Sequence, residues 1–333
     1  MREFAQRTVL MTGGTGFICM SVAEVLLDHG VDVVIFARRE PEEQAVREFS
    51  LKKGRFYYYC GDVLDNESII SAMNRYSVGS IIHGAAITPS REDEMARPKQ
   101  VIEINCIGLM NALDAARIAC SGRFIYLGSI SGYGQTCFNS KVLLEGKSLG
   151  DPQSLYDLSK FTGERILQRY RDLFQMDAIV ARIGDTFGPW ERKTGVRSHM
   201  SLPHQLVSAA RKGEKAILPR PNSIDRVYSR DIAASIYALL CAQTLRYDIY
   251  PLCSGYIWPL MDWCKLLENY FPDFHWDLAQ PGEEPTIRVN QSEDNAPMQI
   301  DRLLEDTGYR PIYDAVRAFE NYMTWIETHT DYV

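Results

Sequence analysis

The first residues whose types and spacing suggest chemistry are Tyr156 and Lys160, in "SLYDLSKFTGERILQRY". On a helix a spacing of four puts both side chains on one face, one turn apart. With 18 tyrosines in the chain, such a pair arises readily by chance. It gains meaning from "FIYLGSISGYG" just upstream, a buried-strand pattern that ends in serines and includes Ser129. A phenol with a pKa near 10 is a poor base at neutral pH. A neighbouring ammonium and an oxidised nicotinamide both favour the phenolate. Ser129 would hydrogen-bond the reacting oxygen. Such a trio exchanges a proton with a secondary alcohol while hydride moves at its carbon.

A second cluster lies in "VLMTGGTGFICMS". Gly13 and Gly16 follow an apolar strand and open a helix, the arrangement that brings a backbone and a helix N-terminus up to a pyrophosphate. Phe17 and Ile18 begin that helix. The third small position of the pattern is Cys19, expected to cost a slightly wider helix–strand separation. The second strand, "VVIFARRE", places Ala37 where a ribose-binding carboxylate is expected, followed by Arg38 and Arg39. A missing anion and two guanidiniums suit a 2′-phosphate, so NADP(H) is favoured over NAD(H).

These residues need a scaffold, and the surrounding pattern supplies one. β-branched and aromatic runs alternate with helical-period segments from Arg7 to about Ile183, which predicts an α/β fold with a doubly wound parallel sheet of Rossmann type. Ligand then binds at the carboxyl ends of the strands. Residues 1–184 form the dinucleotide-binding domain in this reading. Residues 185–333 are mostly a smaller C-terminal substrate lobe, partly interwoven with the sheet.

Bulk properties exclude other classes. The formal net charge of -7 argues against nucleic acid as a partner. The eight cysteines are scattered without a C-x-x-C pair, which predicts reduced, mostly buried thiols in a cytoplasmic protein. No run is long enough to span a membrane, no signal peptide is evident, and the six histidines show no metal-binding spacing. The expected partner is a small-molecule substrate.

"TGGTGFI", "GDVLD", "IIHGAA", "IEINCIGLMNALDAAR", "SISGYG", "YDLSK", "RIGDTFGP" and "YSRDIA" occur in one order over most of the chain. In this the chain resembles the extended short-chain dehydrogenases/reductases, the NAD-dependent epimerase/dehydratase family. The resemblance implies that Tyr156 is the acid/base and that Lys160 also binds the nicotinamide ribose. It places the catalytic Ser/Thr at Ser129, the adenine against Asp62 and Val63, and Ala85 and Ala86 along the cofactor. The helices from Pro98 and Ser154 resemble those that build homodimers in this family.

Departures from the family pattern shape the substrate expectation. Ile130 and Ser131 stand where the dehydratases carry an Asp-Glu pair, so dehydration by that route is unsupported. Asp185 replaces an asparagine, and Ile224 an arginine, that serve a nucleotide-sugar diphosphate. Arg192, Arg197, Arg220 and Arg226 are possible substitutes. The expectation is hydride transfer on a smaller polyol, sugar acid or other sugar-like alcohol, with nucleotide-sugar epimerisation as the alternative and a non-catalytic NADP(H) sensor as the competing class. Candidate substrate residues are Thr88, Ser131, Asp185 and Arg192, with Ser90 also considered. His83 is read as structural, His199 and His204 as flanking the substrate lobe or, equally, as surface or helix-start residues, and the "YFPDFHW" aromatics as lobe core.

Overall fold

The computed structural model describes residues 8–119, 122–195, 199–289 and 293–332. Seven strands form one sheet: β1 (Thr8–Thr12), β2 (Val33–Ala37), β3 (Phe56–Cys60), β4 (Val78–His83), β5 (Phe124–Ser129), β6 (Ala178–Ile183) and β7 (Ile249–Leu252). Their order is β7-β6-β5-β4-β1-β2-β3, and every neighbouring pair is parallel. Chain direction across the sheet reverses between β1 and β4, and a crevice opens there beyond the strand ends.

The strand sequences show why both faces are covered. β2 (VVIFA) and β6 (AIVARI) are buried at every position, as expected of parallel strands between two helix layers. Alternate residues feed different cores. Val9, Met11, Ile35, Ile125 and Ile179 pack on the side of the Phe17–Asp28 and Ser229–Cys241 helices. Leu10, Val34, Phe36, Ile81 and Val180 pack on the other side, with Leu109, Leu113 and Leu167.

The second half of the chain does not stand apart. It supplies β7 beside β6 and the Ser229–Cys241 helix against Phe17–Asp28. What projects beyond the strand ends is built from short strand pairs: Asp185–Phe187 with Arg226–Tyr228, Ser223–Ile224 with Trp258–Pro259, and Ala216–Leu218 with Trp276–Leu278. Trp190, Phe187, Trp258, Trp263, Phe319, Tyr322 and Trp325 fill the interior between these pairs and the C-terminal helix Ala315–Thr328. Phe274 of "YFPDFHW" is buried in the same core.

The sequence pattern predicts one helix over Pro98–Ala119. The structure interrupts it with a π-helical turn at Glu103–Ile107. Within that turn the buried Asn105 accepts from the Ile87 amide at 2.9 Å and donates to Ile87 O at 3.1 Å and Ser159 Oγ at 2.9 Å. The π turn therefore ties this helix to the strand-end loop after β4 and to the helix that carries Tyr156.

Candidate active site

The Leu155–Phe174 helix begins in a capping box. Ser154 Oγ accepts from the Asp157 amide at 3.1 Å, and the Asp157 carboxylate accepts from the Ser154 amide at 3.2 Å. The helix start is thereby fixed immediately before Tyr156. One turn on, the buried Lys160 donates from Nζ to Leu127 O of β5 at 2.9 Å and lies 5.8 Å from the Tyr156 ring centre. Ser129 ends β5, and its Oγ accepts from the Ser131 amide at 3.1 Å. Ser129, Tyr156 and Lys160 line a single cavity of about 410 Å³ with Gly13, Gly16, Phe17, Ile18, Ala86, Thr88, Ser131 and Asp185.

A second turn along the same helix, Glu164 locks the scaffold behind the trio. Arg182 of β6 donates from Nε to Glu164 Oε1 at 2.9 Å, pairs through Nη2 with Glu164 Oε2, and donates from Nη1 to Glu145 at 2.6 Å. Tyr133 closes the group by donating to Glu145 at 2.7 Å. Burial would lower the Arg182 pKa, but the two carboxylates outweigh it and hold the guanidinium above its ordinary value. The helix, the end of β5 and β6 are thus bound to one another beneath the cavity.

The glycine turn after β1 rests on Gly13, whose φ is +64°. A Cβ there would lie 2.6 Å from Ala85 Cα, so the turn admits no side chain. No side chain caps the Phe17–Asp28 helix at Gly16, and its first turn holds no acidic residue, as an incoming anion requires. The Cys19 position is reconciled by a partner. The buried Cys19 Sγ occupies space 2.4 Å from where a Gly84 Cβ would stand, so the glycine missing from the helix is supplied by the facing strand end. Burial, against the pull of Lys160, pushes the Cys19 thiol up to about 12, so it is protonated.

A second hollow adjoins the first at Gly13, Gly16, Gly84 and Ala86 and is lined further by Ala37, Arg38, Arg39, Asp62, Val63 and Ala85. Arg38 lies 4.0 Å from Asp62, and Arg39 donates to Thr194 O at 3.5 Å. Arg192, a candidate substrate residue, lines this hollow and not the cavity at Tyr156, and its guanidinium pairs with Glu42 just before the Glu43–Ser50 helix. The cradle around Gly13, the uncapped helix start and the basic hollow fit a dinucleotide.

Other expectations resolve individually. His83 is fully buried, and its Nδ1 is 2.8 Å from Thr12 Oγ1. Burial, with Lys160 adding to it, pushes its imidazole down to about 3, so it is neutral. His204 is buried, 3.1 Å from Tyr322 Oη, and is not at the cavity. Ser90 caps the short Arg91–Ala96 helix beside the site. Arg220 pairs with Asp294 at 2.5 Å. Arg226 is buried opposite Asp185, donates to Trp258 O at 3.2 Å, and leaves Nε and Nη2 without hydrogen-bond partners among the described residues. Arg197 lies outside the described residues. His199, Arg288 and Asn295 also line the catalytic cavity. Arg288 and Asn295 come from a stretch without any motif, and only the folded chain brings them there.

Among the described residues no group of His, Cys, Asp and Glu could hold a metal, and no helix is long and apolar enough to cross a membrane. The seven described cysteines are free thiols, all buried except Cys60.

A crevice at the switch point of a parallel sheet, with a tyrosine, lysine and serine facing a glycine turn, defines a dinucleotide-dependent enzyme of the short-chain dehydrogenase type. The sequence model of the NAD dependent epimerase/dehydratase family matches residues 9–252, and the chain belongs to that enzyme family. An uncharacterized epimerase/dehydratase of Staphylococcus saprophyticus is 25% identical over 316 residues, covering 92% of this chain and 93% of the relative. UDP-glucuronate 4-epimerase 4 of Arabidopsis thaliana is 27% identical over 191 residues, 56% of this chain, and the match spans only 43% of that relative's length. The solved UDP-glucuronic acid 4-epimerase of Bacillus cereus in complex with NAD has the same fold, with a TM-score of 0.77 at 18% identity over 96% of this chain and 99% of that one.

Proposed function

We propose that this protein is a nucleotide-sugar epimerase that uses NADP(H) and works by reversible hydride transfer at a secondary hydroxyl of the sugar. The observation that carries this is the convergence of Ser129, Tyr156 and Lys160 at one end of the dinucleotide cleft. The relatives move the choice from the smaller alcohol favoured by Asp185 and Ile224 to a sugar carried on a nucleotide. Supporting it further, the Arg226 guanidinium lies two residues beyond Ile224 with two nitrogens lacking hydrogen-bond partners among the described residues. Asp185 and Ile224 themselves favour a second reading, oxidation or reduction of a free polyol or sugar acid.

The nicotinamide supplies the hydride acceptor and donor when the dinucleotide is bound. Tyr156 takes the proton from the sugar hydroxyl and returns it. Ser129 holds the reacting oxygen, and Lys160 favours the phenolate while binding the nicotinamide ribose. Thr88, Ser131 and Asp185 hold the sugar. Gly13, Gly16, Phe17 and Ile18 hold the pyrophosphate, and Asp62, Val63, Ala85 and Ala86 flank the adenosine. Ala37 offers the ribose no carboxylate, and Arg38 and Arg39 supply charge for a 2′-phosphate. The helices Pro98–Ile102, Gly108–Ala119 and Leu155–Phe174 expose Ile102, Ile118, Leu158, Leu173 and Phe174, which supports a homodimer. Free thiols support a reducing compartment such as the cytoplasm.

The test is proton NMR of the cofactor-loaded protein with UDP-glucose, UDP-glucuronate and dTDP-glucose, alongside free polyols and sugar acids followed at 340 nm. An epimer formed from a nucleotide sugar is the expected result. Turnover of a free alcohol, with no binding of the three nucleotide sugars, would give the site to the second reading.

A further inference from the structure

The segment after the Gly188-Pro189 turn is placed with unusual force. Trp190 adopts a φ of +71°, a conformation that is uncommon for a bulky side chain and persists only where the surroundings impose it. Those surroundings are visible. The Trp190 ring is buried against Phe49, Trp325, His329 and Tyr332, and its Nε1 donates to Glu24 at 2.9 Å. The next residue, Glu191, is also buried and accepts from both the Ser201 amide and Ser201 Oγ at 2.6 Å. With 190 and 191 pinned, Arg192, Lys193 and Thr194 are delivered to the rim of the hollow beside Arg38 and Arg39. There Arg39 reaches the Thr194 carbonyl from the end of β2, and Glu42 holds Arg192.

The charge at this rim is lopsided. Arg38, Arg39, Arg192 and Lys193 line the hollow with two carboxylates, Glu40 and Asp62, and a third, Glu42, pairs with Arg192 from beside it. From this placement we infer that the 192–194 segment is a clamp on the adenosine end of the cofactor, with Arg192 and Lys193 as specificity residues for a 2′-phosphorylated dinucleotide. Glu42 is then the internal competitor that holds Arg192 until a phosphate dianion replaces it. This rests on the NADP(H) reading above and adds to it two residues distant in sequence from the Ala37–Arg39 signal.

The experiment measures fluorescence titrations of NADPH and NADH, and calorimetry of 2′,5′-ADP, on the full chain and three variants. Arg192→Ala/Lys193→Ala is expected to weaken NADPH and 2′,5′-ADP at least ten-fold while NADH changes less than two-fold. Glu42→Gln, which leaves both cations in place, is expected to tighten NADPH several-fold and leave NADH unchanged. Equal effects on the two dinucleotides, or unchanged NADPH affinity in both variants, would overturn the clamp. Arg38→Ala separates the two levels. If it removes a wild-type preference for NADPH that the double variant keeps, only the clamp fails. If the wild type shows no preference and Arg38→Ala alters neither affinity, the NADP(H) reading fails and the clamp with it.

Discussion

Tyr156 and Lys160 share a helix face, and the proposed mechanism gives them different duties that substitution should separate. Tyr156→Phe removes only the phenol hydroxyl, so turnover should fall by about 100-fold or more while cofactor affinity stays nearly unchanged. Lys160→Ala should damage both, because in the proposed mechanism its ammonium serves the cofactor as well as the phenol. Steady-state rates together with cofactor titration decide this, and a Tyr156→Phe protein with more than about a tenth of the wild-type rate would exclude it as the acid/base. His83, just behind the lysine, makes a prediction about stability. Its folded pKa of about 3 lies below the usual 6.5, so between those values the unfolded chain binds a proton that the folded chain refuses. Stability from this group is therefore complete above about pH 6.5 and declines as pH falls towards 3, by at most about 1.4 kcal/mol per unit. Urea unfolding at pH 7 and pH 5 should show a smaller loss in His83→Asn than in the wild type. An equal loss in the two proteins would mean that His83 is not held neutral.

At the scale of elements, the signals that were legible in the sequence are those confined to one segment. The alternation of strand and helix, the turn at Gly13 and the Tyr156–Lys160 spacing each lie within a short stretch. The Cys19 substitution looked like a cost because its answer, Gly84, is 65 residues away and becomes a neighbour only when β1 and β4 pair. The π turn at Glu103–Ile107 was invisible for the same reason: Asn105 finds Ile87 and Ser159 only after folding. Arg192 is a substrate candidate by its charge alone, and the positive φ at Trp190 that precedes its placement in the hollow beside Arg38 and Arg39 has no local signature. The Cys19–Gly84 pairing can be tested as a cycle. Gly84→Ala should cost about 1–3 kcal/mol by overpacking against Sγ. Adding Cys19→Ala should recover part of that, with the Leu127 contact at 3.0 Å retaining the rest. Urea midpoints for the four proteins measure the coupling, and strictly additive losses would show that the two positions do not share the space.

For the whole molecule, the helices beside the candidate active site expose a set of large apolar side chains. Pro98–Ile102 and Gly108–Ala119 pack beside Leu155–Phe174 across the π turn. Their outer faces leave Ile118 62% exposed and Leu173 52% exposed, with Ile102, Ile107, Leu158 and Phe174 nearby in the same helical runs. Apolar surface returns about 25 cal/mol per Å² when buried, and a stable association covers roughly 800 Å² on each partner. A second copy related by a twofold axis would cover this face with itself and make a four-helix seam. Since Tyr156 and Lys160 are carried by one of those helices, the seam would also steady the catalytic pair. Sedimentation equilibrium should therefore show a dimer for the wild type, and Ile118→Glu/Leu173→Glu should shift it to monomer by placing four carboxylates across the twofold. Activity should fall with dissociation and recover as protein concentration rises. A wild type that is monomeric at micromolar concentration, or a double variant that sediments as the wild-type dimer does, would remove this face from the assembly.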